Sequence, residues 1–201
     1  MTDLDSRLTA FAARVVTPEL KPRGYRKKRW EWTRVTGDVV HGIGLQRSHG
    51  NSADHLRIYV NVSAYSAEFA RTVGSAVPDD LTRAAPQYVT RFEDVVAWPG
   101  QWIDLEEWSD DALDDAFAAA LRDLDAHLSR VTDGASLAAV LRESDAPLDT
   151  TLFAWWCATG DQDAIRRQVQ SAQERFGQEE RWPRLAAQFE RVAAQHGITL
   201  D

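Results

Sequence analysis

From Leu56 to Ser63 apolar and polar residues alternate without a break. Leu56, Ile58, Val60 and Val62 fall on one side, and Arg57, Tyr59, Asn61 and Ser63 on the other. A period of two is the mark of a strand with one buried and one polar face. It constrains its surroundings, because a buried strand needs neighbours to satisfy its backbone. The preceding sequence supplies them. Val39, Ile43 and Leu45 oppose Gly42, Gly44, Gln46 and Ser48, while residues 25–35 read as a strand with Trp30 and Trp32 on the core side. Thr36-Gly37-Asp38 and Gly50-Asn-Ser-Ala-Asp54 read as the turns of an antiparallel meander with one oily face and one polar face.

Helical periodicity frames this sheet. Leu4, Leu8, Phe11, Ala12, Val15 and Val16 predict a leading helix closed by Pro18, and a short helix is expected near 66–73. Residues 88–96 and 101–105 read as two further strands around the Trp98-Pro-Gly100 turn. Beyond them Leu113, Phe117, Leu121, Leu124, Leu128 and Val131 form one stripe, with Ser109 placed as its N-cap. Three or four shorter helices follow, punctuated by Gly134, Gly160, Gly177 and Gly197, with no repeat at fixed period. The expected architecture is α+β: an N-terminal helix with an antiparallel sheet of three to five strands, then an all-helical region packed on it. The expected domain boundary divides 1–108 from 109–201, the second part leaning on the first rather than independent.

The net charge of −8 conceals an asymmetry. Residues 1–66 hold 11 Lys+Arg against 6 Asp+Glu, whereas residues 67–201 hold 12 against 25. All three lysines, Lys21, Lys27 and Lys28, sit in one stretch with Arg23, Arg26, Arg29 and Arg34. The acidic counterpart runs from Asp104 to Asp125. Either the two lobes neutralise each other, or the basic stretch meets an external anion. The lone Cys157 lies among Phe153, Ala154, Trp155 and Trp156 and reads as a small buried hydrophobe rather than a catalytic thiol. The acidic N-terminus lacks the pattern of a signal peptide and no apolar run is long enough for a bilayer helix, so a cytoplasmic location is expected.

Leu20-Lys-Pro-Arg-Gly-Tyr-Arg-Lys-Lys28, followed by Trp32, Gln46-Arg-Ser48 and Asn61, resembles the pattern of a bacterial family known as domain of unknown function 4304. Tyr25 stands where that pattern has Phe, and Arg91 and Trp102 correspond more loosely. The resemblance extends mainly over residues 4–105. It implies an α+β fold and no particular activity.

Several chemistries lack their signatures. There is no Gly-x-x-x-x-Gly-Lys-Ser/Thr phosphate loop, no Gly-x-Gly-x-x-Gly and no Gly-x-Ser-x-Gly elbow. No histidine pair has zinc-ligand spacing, although His41, His49 and His55 surround one hairpin. Asp104, Glu106, Glu107, Asp110 and Asp111 could offer oxygens to a hard cation, but acids at a helix start have a sufficient local reason. Neither a metal nor a cofactor is expected.

What remains is geometric. If Trp30 and Trp32 face the core, the opposite face carries Lys27, Arg29, Glu31 and Thr33 with Gln46, Ser48, Arg57, Tyr59 and Asn61, and Lys28 beside them in the chain joins the candidate binding residues. Such a face is cationic and rich in directional donors, suited to a carboxylate, a phosphate or an acidic protein surface. The leading expectation is therefore a non-catalytic binding module for an anionic small ligand or an acidic protein partner, in keeping with a defence or toxin-neutralising role. The alternative is an enzyme acting on a phosphorylated or nucleic-acid substrate through Lys28, Gln46, Asn61 and a hairpin histidine. A nucleic-acid stacking platform is less favoured, because only Tyr59 and Tyr65 are placed to stack. An enzyme needs a concavity where a titratable group meets these donors, whereas a binding module tolerates a flat face. An acidic helix lying across Lys27, Arg29 and Arg57 would spend the charge internally.

Overall fold

The computed structural model describes residues 3–52, 55–144 and 148–200. Ala53 and Asp54 of the expected second turn lie outside the described residues, as do Met1 and Thr2 of the N-terminal segment. In chain order the elements are α1 (Asp3–Phe11), a π-helical turn (Ala12–Val16), α2 (Thr17–Leu20), β1 (Arg26–Lys28), β2 (Glu31–Thr36) and β3 (Val39–Arg47). Then come β4 (Arg57–Ser66), α3 (Ala67–Thr72), β5 (Tyr88–Arg91), β6 (Ile103–Asp104) and α4 (Asp110–Leu128). The last four helices are α5 (Gly134–Glu143), α6 (Thr150–Thr159), α7 (Gln162–Phe176) and α8 (Trp182–Gln195). The expected α+β architecture is present. Among the described residues, no helix is long and apolar enough to cross a membrane.

The chain divides into two compact units, residues 1–66 with 78–132, and residues 67–77 with 133–201. Helix α4, which begins just beyond residue 108, belongs to the sheet-bearing unit. In that unit a six-stranded antiparallel sheet runs β1-β2-β3-β4-β5, with β6 also paired to β4. The extra strand arises because residues 25–35 form a hairpin rather than one strand. Lys28 pairs with Glu31, and Arg29 enters the intervening turn at φ 57°. An Arg-Trp turn carries no Gly or Asn to announce it, so the hairpin is silent in the sequence.

Helices cover the inner face of the sheet. Trp32, Ile43, Ile58, Val60 and Val62 are buried there with Leu8, Phe11, Leu113, Phe117, Leu121 and Leu124. Phe11 meets Phe117 at 5.2 Å between ring centroids, and Phe117 meets Phe92 at 6.0 Å. The indole of Trp32 donates to Thr17 Oγ1 at 3.3 Å. Pro18 does not stop the leading helix, which continues to Leu20. The π turn before it lets Thr17 N–H reach Ala12 O, widening the backbone where the proline ring would otherwise crowd it. Ser109 caps α4 as expected, accepting from Ala112 N.

The second unit is helical. Phe69 of α3 stacks on Trp155 of α6 at 4.8 Å and 3°, and Phe153 meets Phe189 edge-on at 4.8 Å. Glu68 accepts from Gly134 N at 2.8 Å. Gly134 is required by close approach, since a Cβ there would lie 2.7 Å from the Trp155 ring. Cys157 is buried as expected, and burial pushes its thiol up to about 11, which favours the protonated thiol at neutral pH.

Candidate functional site

Directly opposed residues of an antiparallel pair share a face, so the register fixes what the outer side of the sheet displays. One rung reads Lys28, Glu31, Gly44, Asn61 and Arg91 from β1 to β5. The adjoining positions on that side are Thr33, Gly42 and Ser63 in one direction and Gln46 with Tyr59 in the other. Gly44 in the middle of β3 leaves side-chain space open on this face as the floor of a groove, whereas at Gly42 the Ser63 hydroxyl takes the place a Cβ would occupy. A compartment of about 680 Å³ is lined by Lys28, Arg29, Trp30, Glu31, Gln46 and Asn61, among others. A second, of about 230 Å³, shares Glu31, Gly44, Asn61 and Thr82 with it and ends against Val40, Tyr65, Leu81, Ala84 and Pro86. The segment around the 3₁₀ turn Leu81–Arg83 forms the far wall, held by Asp80, whose carboxylate accepts from Thr82 N and Oγ1.

Within this face Asn61 Nδ2 donates to Gln46 Oε1 at 2.9 Å, and the Arg91 guanidinium donates to Asn61 Oδ1. Arg91 also lies over the Tyr59 ring at 4.5 Å. Tyr59 meets Trp102 edge-on at 6.1 Å, and Arg57 covers Trp102 at 4.6 Å. These contacts make a fixed row of aromatic and guanidinium groups beside the groove. They also cover the Tyr59 ring face that a stacking base would need.

The structure sorts the sequence-selected residues into two sets. Lys28, Arg29, Gln46 and Asn61 line the groove, with Tyr59 adjacent. Lys27 does not join them. It stands opposite Trp32 on the inner-facing side, its ammonium 5.5 Å from the Trp30 ring and 5.1 Å from the Trp32 ring. The two-residue turn at Arg29–Trp30 shifts the alternation, and Trp30 is half-buried at the groove rim rather than in the core. Ser48 closes the end of β3, its N–H donating to Arg57 O and its hydroxyl accepting from Gly50 N. Arg57 pairs with Asp104 at 3.0 Å. Arg91 and the Leu81–Pro86 wall were not selected from the sequence, and Glu31 was expected on this face but not among its binding residues. Only the spacing of Gly42 and Gly44 hinted at a groove.

The acidic helix does not cross the groove. Asp110 pairs with Arg7 at 2.6 Å, and this hydrogen bond holds its carboxyl below the usual range. Arg14 engages Asp114, and Asp125 takes Arg34 at 2.8 Å and Arg23 at 3.5 Å. The basic stretch is thereby divided. Arg23 and Arg34 are neutralised by α4, whereas Lys28 and Arg29 have no carboxylate within ion-pair distance among the described residues.

The hairpin histidines separate. His41 is buried on the inner face, accepting from Arg34 at 3.0 Å and donating through Nε2 to Val131 O at 2.8 Å. His55 joins two of the acids considered for a cation, lying 2.6 Å from Glu106 and 3.4 Å from Asp104. Their donor atoms fall within 4.8 Å of one another, the spacing a metal would need. Those carboxylates are already engaged, however. Asp104 accepts from Arg57 and from the Trp102 indole at 2.9 Å, and Glu106 from Leu56 N at 2.8 Å. The cluster therefore clamps the loop before β4 to β6. Among the described residues, no histidine lines the groove, and Glu31 is its carboxylate.

The chain has no match among curated proteins or solved structures. The family model described as a domain of unknown function, DUF4304, matches residues 16–133, from the π-helical turn through the whole sheet and α4. The chain belongs to the DUF4304 family.

Proposed function

We propose that this protein is a binding module that captures an anionic ligand in the groove on the outer face of its sheet. The observation that carries this reading is the division of charge. Lys28 and Arg29 project at the groove, while Asp110, Asp114 and Asp125 of α4 engage Arg7, Arg14, Arg23 and Arg34 away from it. Cations without an ion-pair partner among the described residues, beside fixed amide and guanidinium donors, suit a carboxylate or phosphate, since charge-assisted hydrogen bonds are the strong ones. The Gln46–Asn61–Arg91 chain holds those donors in place before a ligand arrives, which lowers the ordering cost of binding. A concave site of this volume fits a small ligand better than the broad surface of an acidic protein. The catalytic alternative lacks a converging histidine among the groove-lining residues.

Calorimetry with phenyl phosphate and benzoate on the full chain tests the proposal. Binding is expected to weaken about ten-fold in the Lys28→Ala/Arg29→Ala variant and to fall with added salt. Absence of binding, or binding indifferent to both changes, would overturn it.

A further inference from the structure

The two compartments of the groove differ in chemistry, and the difference specifies the ligand. Lys28, Arg29 and Gln46 line one end alone, and Asn61 borders both. The other ends on Val40, Tyr65, Leu81, Ala84 and Pro86. Resting on the anion-binding reading above, we infer that the ligand is an amphiphile: a single anionic head, carboxylate or phosphate monoester, carrying an apolar body.

The floor between the ends is β3. Gly44 lies beneath the cationic end and Val40 beneath the apolar end, four residues apart and thus about 13 Å at strand rise. An anion as small as inorganic phosphate would occupy the first end and leave the second in water. A ligand with an alkyl or aryl body of that reach fills both and removes the exposed apolar wall from solvent. An extended peptide fits less well. Its backbone groups need partners at each residue, whereas the N–H groups of β3 and β4 are committed to the ladder and those of Thr82, Arg83 and Ala84 to their own turn. The apolar end offers methyl, ring and pyrrolidine surface beside the side chains of Thr33, Ser63 and Thr82. Glu31 sits between the compartments and opposes Lys28 across the hairpin. It disfavours a second negative charge midway along the ligand, which restricts the anion to the head.

Octyl phosphate, octanoate, ethyl phosphate and octanol, each below its micellar range, are compared by calorimetry on the full chain and two variants. Octyl phosphate and octanoate are expected to bind at least about ten-fold more tightly than ethyl phosphate, and octanol weakly. The octanoate and octyl phosphate arms report which head is preferred. Leu81→Asn, which removes apolar surface without adding charge, is expected to cost the octyl ligands about ten-fold and leave ethyl phosphate unchanged, and Ala84→Asn on the same wall repeats the test should the first variant misfold. Equal binding of ethyl and octyl phosphates would overturn the amphiphile while leaving the anion reading intact. Octanol binding as tightly as the octyl anions, or no binding by any of the four, would overturn both. Tighter binding of an acidic peptide than of every octyl ligand would overturn the inference in favour of a protein partner.

Discussion

Arg34 Nη1 lies 2.8 Å from Asp125 Oδ1, joining β2 to α4 beneath the inner face of the sheet. The same carboxylate accepts from Tyr25 OH at 3.1 Å, and Arg34 stacks over the Tyr25 ring at 4.7 Å and donates to His41. This network engages two cations of the basic stretch, Arg34 and Arg23, from the inner side of the sheet. It consumes charge on the inner side and, by anchoring α4 there, keeps the acidic helix away from Lys28 and Arg29.

His41 makes this network pH-sensitive. Burial lowers its affinity for protons below that of an ordinary histidine at 6.5, and Arg34 adds to the effect. The folded state therefore binds fewer protons than the unfolded state between that lowered value and 6.5. Stability is fully present above 6.5 and declines as the pH falls through that window. Urea midpoints at pH 7.5 and 5.5 should show the loss. His41→Gln should be less stable at the higher pH and show a smaller difference between the two.

Gly44 is the floor of the groove rather than a structural necessity. A Cβ there would meet only Glu31 Cγ at 3.7 Å and Trp30 O at 3.9 Å, ordinary contact distances. Gly44→Ala should leave stability unchanged or raise it by up to about 1 kcal/mol. Gly44→Val should fold and yet lose phenyl phosphate binding, because its methyls fill the cationic compartment. Thermal melts beside calorimetry separate the two effects.

Arg29 holds a left-handed conformation that a non-glycine residue adopts at a cost of about 1–2 kcal/mol. Arg29→Gly should relieve that strain, offset in part by the greater freedom of glycine when unfolded. The expected result is a small gain in melting temperature together with weaker anion binding. A variant that loses stability would show that the side chain, not the turn, supports the hairpin.

Much of the fold was legible because periodicity reports burial. The alternation at 56–63 and the stripe from Leu113 to Val131 each correspond to an element with its apolar side covered. The face bearing Gln46, Tyr59 and Asn61 followed from the same alternation. Three things did not. The turn at Arg29–Trp30 uses residues without turn preference, and missing it put Lys27 on the wrong side. Arg57 and Arg91 exchange roles relative to expectation, because pairing with Asp104 and with Asn61 depends on strand neighbours that only the three-dimensional register supplies. The wall at Leu81–Pro86 comes from an irregular segment with no period to read.

The most direct test of an anion site on this face is two-dimensional ¹⁵N–¹H NMR of the full chain titrated with phenyl phosphate. Gly42, Gly44, Asn61 and the side-chain amide of Gln46 should shift in a saturable way, while Asp114, Leu121 and Asp125 of α4 stay in place. Saturable shifts confined to α4, or none at the two glycines, would contradict the account.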